Sequence, residues 1–110
     1  MTLKALRQIL KALGEDTRLR ILNLLFHNEL SVNKIGSILN ISQPSVSKHL
    51  VRLRLLGIVS DKRAGNLIYY RVNDKMQSDA LKTVRFIFSE FENMEAFQKD
   101  LGKLKDYKTA

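Results

Sequence analysis

The chain has 110 residues, 45% of them hydrophobic, no cysteine, and a net charge of +8 from nineteen Lys and Arg against eleven Asp and Glu. That length and composition suit one domain with a modest core and exclude wholesale disorder; the missing thiols exclude disulfides, thiolate nucleophiles, thiol redox sensing and cysteine metal sites. No apolar run approaches the roughly 18 residues of a spanning helix, and Lys4, Arg7, Gln8 and Lys11 interrupt the N-terminal leucines where a secretory segment needs an unbroken apolar stretch, so a cytoplasmic protein without membrane contact is expected.

Leu3, Leu6, Leu10 and Leu13 recur at helical spacing, widened by Ile9, and predict a first helix that Gly14 stops. Asp16 is placed to cap a second helix. Ile21, Leu22, Leu24, Leu25 and Phe26 make that helix apolar around most of its girth, which predicts a central position. Ser31 can cap a short third helix carrying Val32, Ile35, Ile38 and Leu39. Gly36 sits inside it at a cost of about 1 kcal/mol relative to Ala, which close approach of another helix would explain. Asn40 suits a left-handed C-terminal residue. Ser42 can cap a fourth helix, with Pro44 in the first turn, where its missing N–H is harmless. Val46, Leu50 and Leu53 form its buried stripe, and Gly57 ends it.

The period then changes. Ile58 to Arg63 and Leu67 to Val72 read as two strands around Gly65-Asn66, with Ile68, Tyr70 and Val72 on one face. A long last helix is expected from Lys75 or Met76, carrying Leu81, Val84, Ile87, Phe88, Phe91, Met94, Leu101 and Leu104 in its stripe and Phe97 beside it. Two short helices joined by a tight turn and followed by a β-ribbon make a winged helix-turn-helix, whose second helix enters the DNA major groove. The expected fold is mainly α, about five helices with a two-stranded β wing. It forms one domain over 1–110, with its first and last helices serving a homodimer.

Charge is distributed unevenly. Residues 1–41 carry +3, residues 42–71 carry +5, and residues 72–110 are neutral. A local excess of this kind suggests a docking surface for a polyanion, with a solvated basic face as the alternative.

The strings LGEDTRLRILNLL, ISQPSVSKHLVRLRLLGIV and RAGNLIYYRV closely resemble the ArsR family of bacterial and archaeal transcriptional regulators, from about Leu10 to Val72. The resemblance implies a homodimeric winged-helix repressor that binds double-stranded DNA at an inverted-repeat operator and loses affinity when an inducer binds. The sensor departs from the family pattern. Members that sense arsenite or soft metals commonly carry a string like ELCVCDL in the third helix, whereas this chain reads ELSVNKI, with Ser31 and Asn33 in place of thiolates. Zinc and cobalt sensors can use an Asp-x-His pair and a His-x-x-His or His-x-x-Glu pair on the last helix. Here Asp74 is followed by Met76, and Ile87 and Glu90 stand at the second pair. Zinc needs several close N, S or O ligands, and His27 and His49 are the only histidines and lie on different helices. No metal site and no cofactor are expected. Asp74, Asp79 and Glu90 could at most hold a hard cation weakly. Any inducer is expected to be an organic molecule or a protein acting at the last helix or the dimer seam, and constitutive repression is the alternative.

Gln43, Ser45, Ser47 and Lys48 lie in the first turns of the fourth helix. Gln bonds adenine N6 and N7, Lys reaches guanine O6 and N7, and Ser bonds base edges or phosphate. His49 adjoins the apolar stripe, where packing with one polar contact competes with reading a base. Arg52 and Arg54 lie farther along and would meet phosphate, or in the case of Arg54 only solvent. Lys62 and Arg63 lead into the hairpin tip and Arg71 follows it; such a wing tracks phosphates or places an arginine in the minor groove. Ser31 and Lys34, at the start of the third helix, add a candidate phosphate contact. Phe86, Phe88, Phe91 and Phe97 form either a ligand pocket or, with the first helix, a core and dimer seam. Leu6, Leu10, Val84, Phe88 and Phe91 are the seam candidates.

Without cysteine, and with both histidines on helices otherwise accounted for, no catalytic constellation is visible and no enzyme is expected. The competing reading is a winged-helix protein-interaction module or an architectural nucleic-acid binder without operator choice.

Overall fold

The computed structural model describes residues 1–73 and 79–109. In chain order the elements are α1 (Leu3–Leu13), α2 (Asp16–His27), β1 (Leu30–Ser31), α3 (Val32–Leu39), α4 (Gln43–Leu55), β2 (Val59–Ala64), β3 (Leu67–Val72), α5 (Asp79–Phe91) and α6 (Glu95–Thr109). The expected onset of the last helix at Lys75 or Met76 lies outside the described residues.

Local chemistry sets most boundaries. Ser31 Oγ accepts from Lys34 N at 3.2 Å and Ser42 Oγ from Ser45 N at 3.4 Å, so both cap as expected. Asn40 ends α3 with φ 57°, in the left-handed region. The cap of α2 is Glu15 rather than Asp16: the Glu15 carboxylate accepts from Arg18 N at 2.9 Å, and Asp16 becomes the first helical residue. Gly36 is explained by the turn rather than by a neighbouring helix. A Cβ there would stand 2.8 Å from the Ile41 carbonyl oxygen, because the chain bends back over α3 on its way into α4. At the wing tip Gly65 adopts φ 63°, which the tight hairpin requires.

The expected architecture is present with two added features. The β2–β3 hairpin is the expected two-stranded wing, and a short third strand joins its sheet. β1 pairs antiparallel with β3, Leu30 opposite Tyr70, giving the order β1-β3-β2. Leu30 and Ser31 are buried, so their backbone groups need partners, which the ladder supplies. The long last helix is also interrupted, so the described residues hold six helices. Across the break Gln98 Nε2 donates to the Glu92 carbonyl at 2.7 Å and Met94 N to that of Phe91 at 3.0 Å.

The break lets α6 fold back on α2. Phe97 stacks on Phe88 with ring centroids 5.5 Å apart, and Phe88 tilts against Phe26 at 4.9 Å. Arg20 Nε and Nη2 donate to the two oxygens of Asp100 at 2.9 and 3.0 Å, and Asn23 Nδ2 donates to the Phe97 carbonyl. Asp100 is only 1% exposed, so a bidentate partner is what makes its burial tolerable. The core surrounds α2, as its girth of apolar residues demands. Ile21, Leu22, Leu24 and Leu25 meet Ile35 and Ile38 of α3, Val46, Leu50 and Leu53 of α4, and Tyr70 and Val72 of the sheet.

Candidate nucleic-acid interface

α4 is held by its inner stripe. Val46, Leu50 and Leu53 are fully buried, and at 3.6 residues per turn that leaves the opposite face for the polar positions. Lys48 and Arg52 are exposed there, Gln43 is exposed at the start of the helix, and Ser45 and Ser47 are half-buried. Among the described residues none hydrogen-bonds to the side chains of Gln43, Lys48 or Arg52. Arg54, by contrast, pairs with Asp61 of β2 at 3.2 Å, tying the end of α4 to the wing.

The wing carries Lys62 opposite Tyr69 and Arg63 opposite Ile68, both exposed next to the hairpin tip. Arg71 lies opposite Ser60 at the root of the ladder and lines a recess with Glu29 and Arg85, so the structure does not bring it together with Lys62 and Arg63. Lys34 is exposed on α3, with its Nζ 5.8 Å from the centre of the Tyr107 ring. Ser31 is 4% exposed and its hydroxyl is committed to capping α3.

The seam candidates divide. Val84 is fully buried and Phe88 is 7% exposed, both inside the subunit's own core. Within the subunit Phe88 packs between Phe26 of α2 and Phe97 of α6, and it also lines the floor of the groove described next. Leu6 is half-buried, whereas Leu10 and Phe91 are about half exposed. Leu10 and Phe91 border an apolar groove of about 350 Å³ between α1 and α5, lined also by Leu13, Leu19, Ile87 and Met94.

Residues 15–61 match the profile of the bacterial regulatory protein ArsR family. The chain is 36% identical over 76 residues to the transcriptional repressor SdpR of Bacillus subtilis, covering 69% of this chain and 84% of that one. It is 33% identical over 98 residues to the arsenical resistance operon repressor of Escherichia coli, covering 87% and 84%. Among solved structures it superposes on the homodimeric winged helix-turn-helix DNA-binding domain Mb0332 from Mycobacterium bovis with a TM-score of 0.69 at 27% identity, covering 86% and 85%. The chain belongs to the ArsR family. It is therefore a transcription regulator built on a winged helix-turn-helix DNA-binding fold.

Within this ArsR-family regulator, His49 is placed differently from its neighbours on α4. Its Nδ1 accepts from Arg18 Nη1 at 3.2 Å and lies 3.7 Å from Glu15 Oε2, and its side chain is 14% exposed. It fastens α4 to the start of α2 and is not exposed as Gln43 and Lys48 are. Burial, with the charges of Arg18, Lys48 and Arg52, lowers the His49 pKa against the opposing pull of Glu15. Burial would raise the Glu15 carboxyl, but the Arg18 and Thr17 backbone N–H groups and the charges of His49 and Arg18 hold it below its usual range.

These shifts set a pH dependence. The unfolded imidazole takes its proton near 6.5 and the folded one only at lower pH. Just below that value the unfolded state binds more protons, so stability falls on acidification. Glu15 adds a further loss below its ordinary value of 4.5. The melting temperature is expected to be flat above pH 6.5 and to drop through the window beneath it, and His49→Gln should flatten that first drop. An unchanged slope in the variant would refute the assignment.

Sequence reasoning missed the Glu15–Arg18–His49 cluster, because it joins two helices across 31 residues. It also missed a cleft between α1 and α4 lined by Arg7, Lys11, Arg18, Lys48 and Arg52. Lys4, Arg7 and Lys11, at spacings of three and four with no acid before Glu15, were the available signal. Asp74 and Met76 lie outside the described residues; among those described, no three His, Asp or Glu side chains gather as a metal site would need. No described helix is long and apolar enough to cross a membrane.

Proposed function

We propose that the chain is a homodimeric, sequence-specific repressor of transcription that binds an inverted-repeat operator in the cytoplasm and catalyses no reaction. The observation that carries this reading is the recognition helix α4, anchored by Val46, Leu50 and Leu53 while Gln43, Lys48 and Arg52 stand exposed on it. Gln43 and Lys48, with Ser45 and Ser47 beside them, read base edges; Arg52, Lys34 and the wing residues Lys62 and Arg63 hold phosphates. A second copy covers the groove at Leu10 and Phe91. The homodimeric Mycobacterium bovis domain, which superposes over most of this chain, supports that arrangement. Two-fold symmetry then requires inverted half-sites about 34 Å apart or a multiple of that.

The test begins with selection of a duplex from a random library or a genomic footprint. Gln43→Ala and Lys48→Ala should each cost about 1–3 kcal/mol on the selected site and far less on random DNA. Equal losses on both would demote the residue to a backbone contact. A wild type with no preference between the two DNAs would favour an architectural binder instead.

A further inference from the structure

α1 presents three faces. Ile9, Ala12 and Leu13 are buried in the core. Leu3 and Leu10 stand exposed with Leu6 half-buried between them, a stripe whose Leu10 is assigned above to the second copy. Lys4, Arg7 and Lys11 form the third face, stacked one above another along the helix. No acidic residue occurs before Glu15, and among the described residues no carboxylate pairs with any of the three.

This third face is turned toward the recognition helix. Arg7 and Lys11 make one wall of an open cleft of about 520 Å³, and Lys48 and Arg52 of α4 make the other. No carboxylate lines it. Arg18 fixes the two walls together: its guanidinium donates to the Lys11 and Ala12 carbonyls at the end of α1 and to His49 Nδ1 on α4. Five like charges, Arg18 included, line one trough and repel one another, and an anion seated between them relieves that repulsion.

We propose that this cleft receives the sugar–phosphate backbone of bound DNA beside the recognition helix, so that α1, outside both the helix-turn-helix and the wing, supplies phosphate contacts through Arg7 and Lys11. The proposal rests on the DNA-binding reading above. DNA is favoured over a small phosphorylated ligand because Lys48 and Arg52 belong at once to the cleft and to the exposed face of α4, which makes the trough continuous with the base-reading surface. The half-exposed Val51 and the exposed Leu55 at its edge also suit the apolar faces of deoxyribose.

The experiment compares wild type, Arg7→Ala/Lys11→Ala, and the control Lys82→Ala/Lys99→Ala, which removes the same charge from exposed sites on α5 and α6. Each is titrated against a selected and a random duplex over a salt series, with sedimentation and thermal melts to verify dimer and fold. Arg7→Ala/Lys11→Ala is expected to lose about tenfold or more in affinity on both duplexes. Its log K against log salt slope should become shallower by about 2 to 4 per dimer, beyond any change in the control. Equal behaviour of the two double variants on DNA would overturn the proposal while leaving the DNA-binding reading intact. A wild type that binds neither duplex would overturn both. Micromolar binding of inorganic pyrophosphate to the wild type, lost in Arg7→Ala/Lys11→Ala with DNA affinity unchanged, would reassign the cleft to a free phosphate ligand and equally overturn it.

Discussion

Leu10→Glu combined with Phe91→Glu is expected to convert the protein to a folded monomer and to lower operator affinity by about a hundredfold or more. Both side chains are about half exposed in the subunit, so a carboxylate at either position stays hydrated in the monomer. Covered by a second copy, the same carboxylates would be buried without partners, which a dimer cannot tolerate. Two half-sites joined in one dimer gain about 10² to 10⁴ in avidity over a single half-site, and that factor is what the substitution removes. Phe88→Glu is the wrong variant for this purpose, because Phe88 packs between Phe26 and Phe97 and its loss should unfold the chain. Sedimentation with circular dichroism decides the matter: a folded double variant that remains dimeric would place the interface elsewhere, and a wild-type monomer competent for operator binding at micromolar concentration would remove the need for one.

Salt should change affinity still more steeply. The segment 42–71 carries +5 per subunit, hence twice that in a dimer, and Lys34 adds to it. If roughly six to ten phosphates are neutralised, log K should fall with log salt at a slope of about −5 to −9. Between 50 and 200 mM salt that is a loss of about 10³ to 10⁵. Lys62→Ala with Arg63→Ala should weaken every sequence alike and flatten the slope. Affinity independent of salt would contradict a phosphate-dominated interface.

What could be read from residues alone was mostly local. Ser31, Ser42 and Asn40 act within a turn of their own position, and their side chains or left-handed conformation mark the ends of α3 and α4 directly. The strand Leu67–Val72 carries its own alternation. β1 does not, because two residues have no period, and its existence depends on Tyr69 and Tyr70 arriving from β3. The interruption between α5 and α6 has no Gly or Pro to announce it. It exists because Phe97 and Asp100 find partners on α2 more than 70 residues away. The exposed face of α4 was legible because a buried stripe at helical spacing defines its opposite. For Val84 and Phe88 periodicity shows that a stripe is buried, not which neighbour buries it. The fastening of His49 by Arg18 and Glu15 was invisible, since no spacing rule links the start of one helix to the flank of another.

The return of α6 onto α2 also has a consequence in time. On the ribosome the last residue of α4, Leu55, is polymerised about fifty residues ahead of Leu104, which closes the core from α6. At about 5–20 residues per second, that interval is about 2–10 s. Throughout it the outer flank of α2 lacks Phe97 and the Asp100 carboxylate, and Arg20 waits without its bidentate acceptor. A nascent chain that already holds all of α4 therefore does not yet hold it on a finished platform. A chain truncated before Glu95 is therefore expected to be cleaved more readily in limited proteolysis than one that carries α6.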